Sequence, residues 1–243
     1  MWHTPGSLRP TGPPLMHELD NVVWHALCGT HSWAAERAAG ARRYVPDISV
    51  FAAIDDFESA SWTSLHELVG PDGIAVLARP NIPEPPPGWT TLLRVAAYQM
   101  VLDGALPPAP DTEFATRALI AADVPSMLDL VERTQPGPFR PRTIELGGYV
   151  GAFDGDRLVS MAGHRITTTT HTEVSAVCTD ADYRKRGLGA TLTIAVAQAL
   201  LAHGSTPMLH VAADNPARNL YESLGFTVRT SIDIVGVRAD TVR

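Results

Sequence analysis

The stretch ADYRKRGLGA, residues 181–190, sets three consecutive cations and two glycines between a strand-like run and a long apolar run. Leu188, Leu192, Val196, Ala199 and Leu200 then recur at helical spacing until His203-Gly204, so the order reads strand, glycine turn, helix. Such a turn aims unpaired backbone N–H groups and the positive end of the helix dipole at one spot outside a sheet. Gly187 and Gly189 let an anion approach the main chain with no Cβ in the way, while Arg184, Lys185 and Arg186 add local charge. The segment lacks the Gly-Lys-Ser/Thr ending of a nucleoside-triphosphate loop and the GxGxxG of a dinucleotide turn, which leaves a pyrophosphate cradle of another kind. A solvated basic turn is the competing reading, and glycines at both required places weaken it.

The elements around this turn predict a mixed α/β (α+β) fold, with a mainly antiparallel sheet flanked by helices. Upstream, FATRALI (114–120) reads as a strand and AADVPSMLDLVERT (121–134) as a helix, with Asp123 suited to cap it and Pro125 in its first turn. YVGAFDGDRLVSMAGHRI (149–166) alternates on both sides of Asp-Gly-Asp, a hairpin signal, and TEVSAVCT (172–179) adds a third strand. Downstream come the short apolar strand PMLHVAA (207–213), a helix opened by Asn215 and Pro216 and closed by Gly225, and a last strand, FTVRTSIDIVGV (226–237).

Proline-rich passages divide the chain. RPNIPEPPPG (79–88) is read as an exposed loop and LPPAPDT (106–112) as a boundary, giving a loose arm over 1–15, a smaller α/β unit over 16–108 and a second unit over 113–243. In the first unit ISVFAAID (48–55) and GIAVLARP (73–80) look like buried strands, SWTSLHELV (61–69) like a helix, and WTTLLRVAAYQMVL (89–102) is extended or helical. Trp24, Trp33, Trp62 and Trp89 are expected in its core rather than in a cage for a cationic ligand.

With 45% hydrophobic and 19% charged residues, the chain can bury one large core or two modest ones. A formal net charge of −7 disfavours nucleic-acid binding, because an acidic surface forfeits the counterion-release term. The longest apolar stretch, ATLTIAVAQALLA, is interrupted by Thr and Gln and falls short of the roughly 20 residues a bilayer requires. Cys28 and Cys178 form neither a disulfide scaffold nor a metal spacing, and His25, His31, His66, His203 and His210 suggest no metal site, so no metal is expected. Cytoplasmic residence, no membrane partner and a monomer or homodimer follow as expectations.

Arg184-Lys185-Arg186-Gly187-Leu188-Gly189 matches an Arg/Gln-x-x-Gly-x-Gly/Ala pattern, and about 35 residues on stands NLYESLGF (219–226), with Leu220-Tyr221-Glu222 and Gly225-Phe226. By these two motifs the second unit resembles the GNAT superfamily of acetyl-CoA-dependent N-acyltransferases along its whole length. The resemblance implies acetyl-CoA in a V-shaped split of the sheet. Its pantetheine arm would pair with Val177, Cys178 and Thr179, and its pyrophosphate would lie on the amides of Arg184 to Ala190, Leu188 included. Ala181 stands where many relatives carry proline. Asn215 is one residue nearer Tyr221 than the commoner spacing, so either Asp214 or Asn215 is the polar residue near the cofactor arm. Residues 16–108 are similar in position to the degenerate second half of some relatives, which places an acceptor site between the two units.

Direct attack by an amine on the thioester needs no covalent enzyme intermediate, but it needs a base, since an alkylammonium titrates near roughly 10. Glu173, eleven positions before Arg184, holds the place of the catalytic glutamate in the histone-acetylating branch of the family and is the first candidate, directly or through a water. If Thr167 to Thr170 form a four-residue loop, His164 falls opposite Glu173, with Cβ atoms about 5 Å apart, and a relay becomes possible. Tyr221 is the candidate acid for the departing thiolate. A nucleophilic role for Cys178 is disfavoured, because no His/Asn partner is evident. The expected activity is transfer of an acetyl group from acetyl-CoA to a primary amine of a small molecule, amino acid or peptide. The alternative is a non-catalytic acyl-CoA-binding module that contacts a protein partner.

Overall fold

The computed structural model describes residues 17–241, and the arm expected over 1–15 lies outside them. Among the described residues the first α-helix is α1 (Val22–Cys28), followed by β1 (Ala35–Arg37), β2 (Ala41–Tyr44), β3 (Ala52–Ile54), α2 (Ser59–Val69), β4 (Ile74–Arg79) and β5 (Trp89–Leu102). Next come β6 (Ala115–Leu119), α3 (Val124–Thr134), β7 (Tyr149–Asp154), β8 (Arg157–Thr167) and β9 (His171–Thr179). The last elements are α4 (Leu188–Ala202), β10 (Thr206–Ala212), α5 (Ala217–Ser223) and β11 (Phe226–Ala239). Strands β1 to β3 make a small antiparallel sheet, and the other eight form one sheet in the order β4-β11-β5-β10-β9-β8-β7-β6. Among the described residues only β9 and β10 run parallel within it. This is the mixed, mainly antiparallel sheet flanked by helices that the sequence pattern predicts.

The sheet crosses the proline-rich stretch at 106–112. Strand β5 pairs with β10 on one side and β11 on the other, so the segment left open as extended or helical is an interior strand of the sheet. Its β-branched and aromatic content suits that place. Asp154-Gly155-Asp156 makes the expected tight hairpin, with Gly155 at φ 57°, where an L side chain is disfavoured. Asp123 does not cap α3: its carboxylate accepts the Ile120 N–H at 2.8 Å and holds Arg117, closing the short turn before the helix.

Helix α4 buries Leu188, Leu192, Ile194, Val196 and Leu200 against Val159, Val174 and Leu209, while Ala199 faces solvent. At roughly 1.5–3 kcal/mol per buried aliphatic side chain, this packing anchors the turn that precedes the helix. The opposite face of the sheet, with Ala97, Ile166, Met208 and Ile232, packs on Leu19, Val22, Val23 and Ala26 of the N-terminal segment. Trp62 and Trp89 meet edge to face at 5.6 Å in a core that also takes in Val235 and Val237 of β11, whereas Trp33, expected in the core, stands 55% exposed. No helix among the described residues is long and apolar enough to cross a membrane.

Candidate active site

Strands β9 and β10 pair only where Thr206, Pro207 and Met208 meet His171, Thr172 and Glu173. Beyond Glu173 the two part. The cause is local: β9 carries an extra residue against β8 between the Gly163–Ser175 and Met161–Cys178 pairs, with Ala176 at φ 53°, and the bulge bends the strand away. A cleft of about 890 Å³ passes through the gap. Val177, Cys178 and Thr179 line one wall, and Asn215, Leu220 and Tyr221 line the other.

At one mouth lie Gly187, Leu188, Gly189 and Ala190. Gly187 precedes α4 at φ 78° with no side-chain cap, so the first amide donors of the helix have no side-chain partner there. Lys185, at φ 62°, is also left-handed, and such alternation curls successive N–H groups around a common point. Asp180 braces the turn from below: buried, it accepts from Asp182 N at 3.2 Å and Arg157 at 2.8 Å and pairs with Arg133. Arg184 and Lys185 line the cleft. Arg186 turns away, stacked on Tyr183 and Phe114 at 5.3 and 5.7 Å and lying 3.7 Å from Glu113.

The other mouth brings in segments from before residue 108. Phe51, Val76, Leu93 and Val95 share the cleft with Arg165, Glu173 and His210. Glu173, 1% exposed, binds Arg165 with both oxygens, to Nε at 3.0 Å and Nη2 at 2.9 Å, and its Oε1 meets His210 Nδ1 at 2.9 Å. Burial alone would raise its pKa, but Arg165 and then His210 outweigh that and hold it at about 2, so it is a carboxylate at any working pH. Phe51 stacks on the Arg165 guanidinium at 4.5 Å.

The expected His164–Glu173 pair does not form. The β8–β9 turn is tighter than the four-residue loop expected: Thr167 pairs with Thr172 and the Thr168 N–H donates to His171 O at 2.8 Å, leaving two residues at the tip, and a bulge follows in β8, so His164 pairs with Val174. Val174 neighbours Glu173 and points to the other face. His164 Nε2 accepts the Gly148 N–H at 2.7 Å, its ring fills the space a Cβ on Gly147 would occupy, and it does not line the cleft. His164 is therefore removed as a relay candidate, and His210 takes the place beside Glu173. His31, by contrast, is buried against Tyr44, with Nδ1 2.8 Å from the phenol oxygen.

Tyr221 is 9% exposed, and burial, with Cys178 nearby, pushes its pKa to about 12. Its phenol therefore keeps its proton. Burial likewise raises the Cys178 thiol to about 11, which keeps it from acting as a thiolate. Asn215 Oδ1 accepts the Ala217 N–H at 2.9 Å and opens α5 from inside the cleft, while Asp214 lies outside it. Among the described residues no group of three or more His, Cys, Asp or Glu could hold a metal.

Sequence reasoning missed Arg165, His210 and Phe51. Arg165 stands next to the chosen histidine, but the bulge that turns it toward Glu173 has no marker in the sequence. His210 reaches Glu173 across the parallel β9–β10 junction, whose register depends on tertiary packing.

Comparison with known proteins agrees with this geometry. The family model described as FR47-like protein matches residues 149–234. A solved GNAT-family protein from Novosphingobium aromaticivorans is 35% identical, with a TM-score of 0.85 over 93% of this chain and 100% of its own. A GCN5-related N-acetyltransferase from Kribbella flavida shares 17% identity and the fold, with a TM-score of 0.63 over 94% of this chain and 98% of its own. A GCN5-related N-acetyltransferase-like protein from Streptococcus suis matches at 16% identity and a TM-score of 0.52, over 89% and 92% of the two chains. No curated protein matches the chain. With its split sheet, its glycine turn and a relative 35% identical along nearly its whole length, the chain belongs to the GNAT family.

Proposed function

We propose that the protein transfers an acetyl group from acetyl-CoA to a primary amine of a small molecule, amino acid or peptide. The observation that carries this reading is the continuous cleft through the parted β9 and β10, which joins an anion cradle at one mouth to an ionised carboxylate at the other. The diphosphate sits on the amides at the start of α4, with Arg184 and Lys185 facing it, and the pantetheine arm extends along the free edge of Val177 to Thr179. A backbone N–H of β9 beside the bulge polarises the thioester carbonyl where the oxyanion forms.

The acceptor enters from the mouth formed by Phe51, Val76, Leu93 and Val95, between the two units. Its ammonium is drawn to Glu173. A carboxylate held at about 2 is far too weak a base to retain a proton from a group that titrates near roughly 10. Glu173 therefore orients a water that carries the proton to solvent; Oε2, bonded only to Arg165 Nε, has a lone pair left for it. The amine then attacks, and Tyr221 gives its proton to the CoA sulfur as the C–S bond breaks.

The test is release of free thiol from acetyl-CoA over a panel of amines, amino acids and peptides. Turnover that depends on Tyr221 supports the reading. Tight acetyl-CoA binding with no thiol release for any acceptor would favour the binding module.

A further inference from the structure

Five adjacent strands contribute one polar side chain each to an unbroken ladder beneath the acceptor mouth. Arg165 of β8 binds Glu173 of β9, whose Oε1 meets His210 Nδ1 of β10 at 2.9 Å. His210 Nε2 lies 3.1 Å from Gln99 Nε2 of β5. Gln99 Nε2 also donates to Leu19 O at 2.9 Å, and its Oε1 accepts from Arg229 Nη1 of β11 at 2.8 Å. Arg229 Nη2 ends the ladder on Asp20 Oδ1 at 2.6 Å. Arg229 reaches this face because it is the extra residue of a bulge between Val228 and Thr230, both of which keep partners on β5.

The end partners fix every proton in the middle. A backbone carbonyl only accepts and a guanidinium only donates, so the Gln99 atom facing Leu19 is the amide nitrogen and the atom facing Arg229 is the oxygen. That nitrogen has a second hydrogen, and it points at His210 Nε2. The imidazole therefore carries its lone pair on Nε2 and its single proton on Nδ1, donated to Glu173. The charged groups along the ladder are two ion pairs, Arg165 with Glu173 and Arg229 with Asp20, on either side of an uncharged His–Gln step.

We propose that Gln99 is a positioning residue for the reaction: by donating to Nε2 it holds His210 in the Nδ1–H form, which pins Glu173 Oε1 and reserves Oε2 for the proton-carrying water. This rests on the acetyl-transfer reading given above. Gln99 is 1% exposed and absent from the cleft lining, so it acts only through His210. Replacing its donor by an acceptor reverses the logic: in Gln99→Glu a carboxylate faces Nε2, and His210 is drawn to bind a second proton between two anions.

The test is nitrogen NMR of the full chain labelled at histidine, with the His210 signals identified by their loss in His210→Gln. The native protein is expected to show one ring proton, on Nδ1, at neutral pH, and Gln99→Glu to show both nitrogens protonated. In thiol-release kinetics Gln99→Glu should lower kcat by about 10-fold or more with KM for acetyl-CoA unchanged, and Gln99→Met, which has neither donor nor acceptor, should fall between. A native Nε2–H tautomer would overturn the proposal even if no variant folds. So would a single ring proton in folded Gln99→Glu, or an undiminished kcat beside a doubly protonated His210. Failure of the transferase reading is separate: it shows as no thiol release from the native protein, whatever the tautomer signals report.

Discussion

Glu173→Gln tests the buried pair that the acceptor mouth is built on. The native carboxylate, with a side chain 2% exposed, accepts three donor contacts, two from Arg165 and one from His210. A carboxamide offers one accepting atom and turns an N–H toward at least one donor, and it leaves the Arg165 charge without its anion. Removing one partner of such a pair costs about 3–5 kcal/mol. For a chain of this size that is roughly 2–4 °C of melting temperature per kcal/mol, hence a fall of about 6–20 °C. Removing both charges, with Arg165→Met added, should restore much of the loss, because no uncompensated ion remains, and the cycle should return a coupling of about 2–3 kcal/mol. Urea denaturation at neutral pH measures all four proteins. Acid titration gives a second reading: the folded pKa lies below the ordinary 4.5, so the pair's stabilisation is complete above 4.5 and fades as pH falls toward about 2. Glu173→Gln should lack that part of the acid decline. A single-variant cost under about 1 kcal/mol, or strict additivity in the cycle, would refute the view that these charges depend on each other.

Other perturbations reach other parts of the cleft. Tyr221→Phe should lower kcat by about 100-fold or more while the acetyl-CoA dissociation constant changes little, read by thiol release and calorimetry; an unchanged kcat would remove the acid role. Gly187→Ala places a side chain at φ 78°, with its Cβ 3.2 Å from Pro110 Cβ. It should cost about 1–2 kcal/mol of stability and weaken CoA binding more than acceptor binding, measured by thermal melts and calorimetry. At pH 7.5 an alkylating reagent should label exposed Cys28 and spare Cys178, whose thiol burial holds near 11, with mass spectrometry of the intact chain showing one adduct. Asp180→Asn should loosen the turn it braces, visible as faster amide exchange over residues 181–186 than in the native chain, while exchange in α3 stays slow.

Much of the C-terminal architecture was legible because its signals are local. The Asp-Gly-Asp hairpin, the glycine turn and the apolar period of α4 are each written within a few residues, and each forms where expected. Strand β5 was harder: WTTLLRVAAYQMVL is apolar enough for helix or strand, and only its two neighbours, β10 and β11, decide the matter. The candidate site divides the same way. Cys178, Gly187 and Tyr221 sit on motifs and line the cleft. His164 and His210 could not be ranked from sequence, because a one-residue slip in a strand exchanges faces, and bulges in β8 and β9 supply the slips. Gln99 and Arg229 join the ladder across strands far apart in the chain, and nothing local marks either.

The most direct test is the structure of the protein bound to coenzyme A. The diphosphate should rest on the backbone amides from Gly187 to Ala190, and the pantetheine should thread between β9 and β10, bringing the sulfur to Tyr221. A diphosphate bound anywhere else, or a β9–β10 gap left empty while the cofactor sits on the outer surface, would contradict the account.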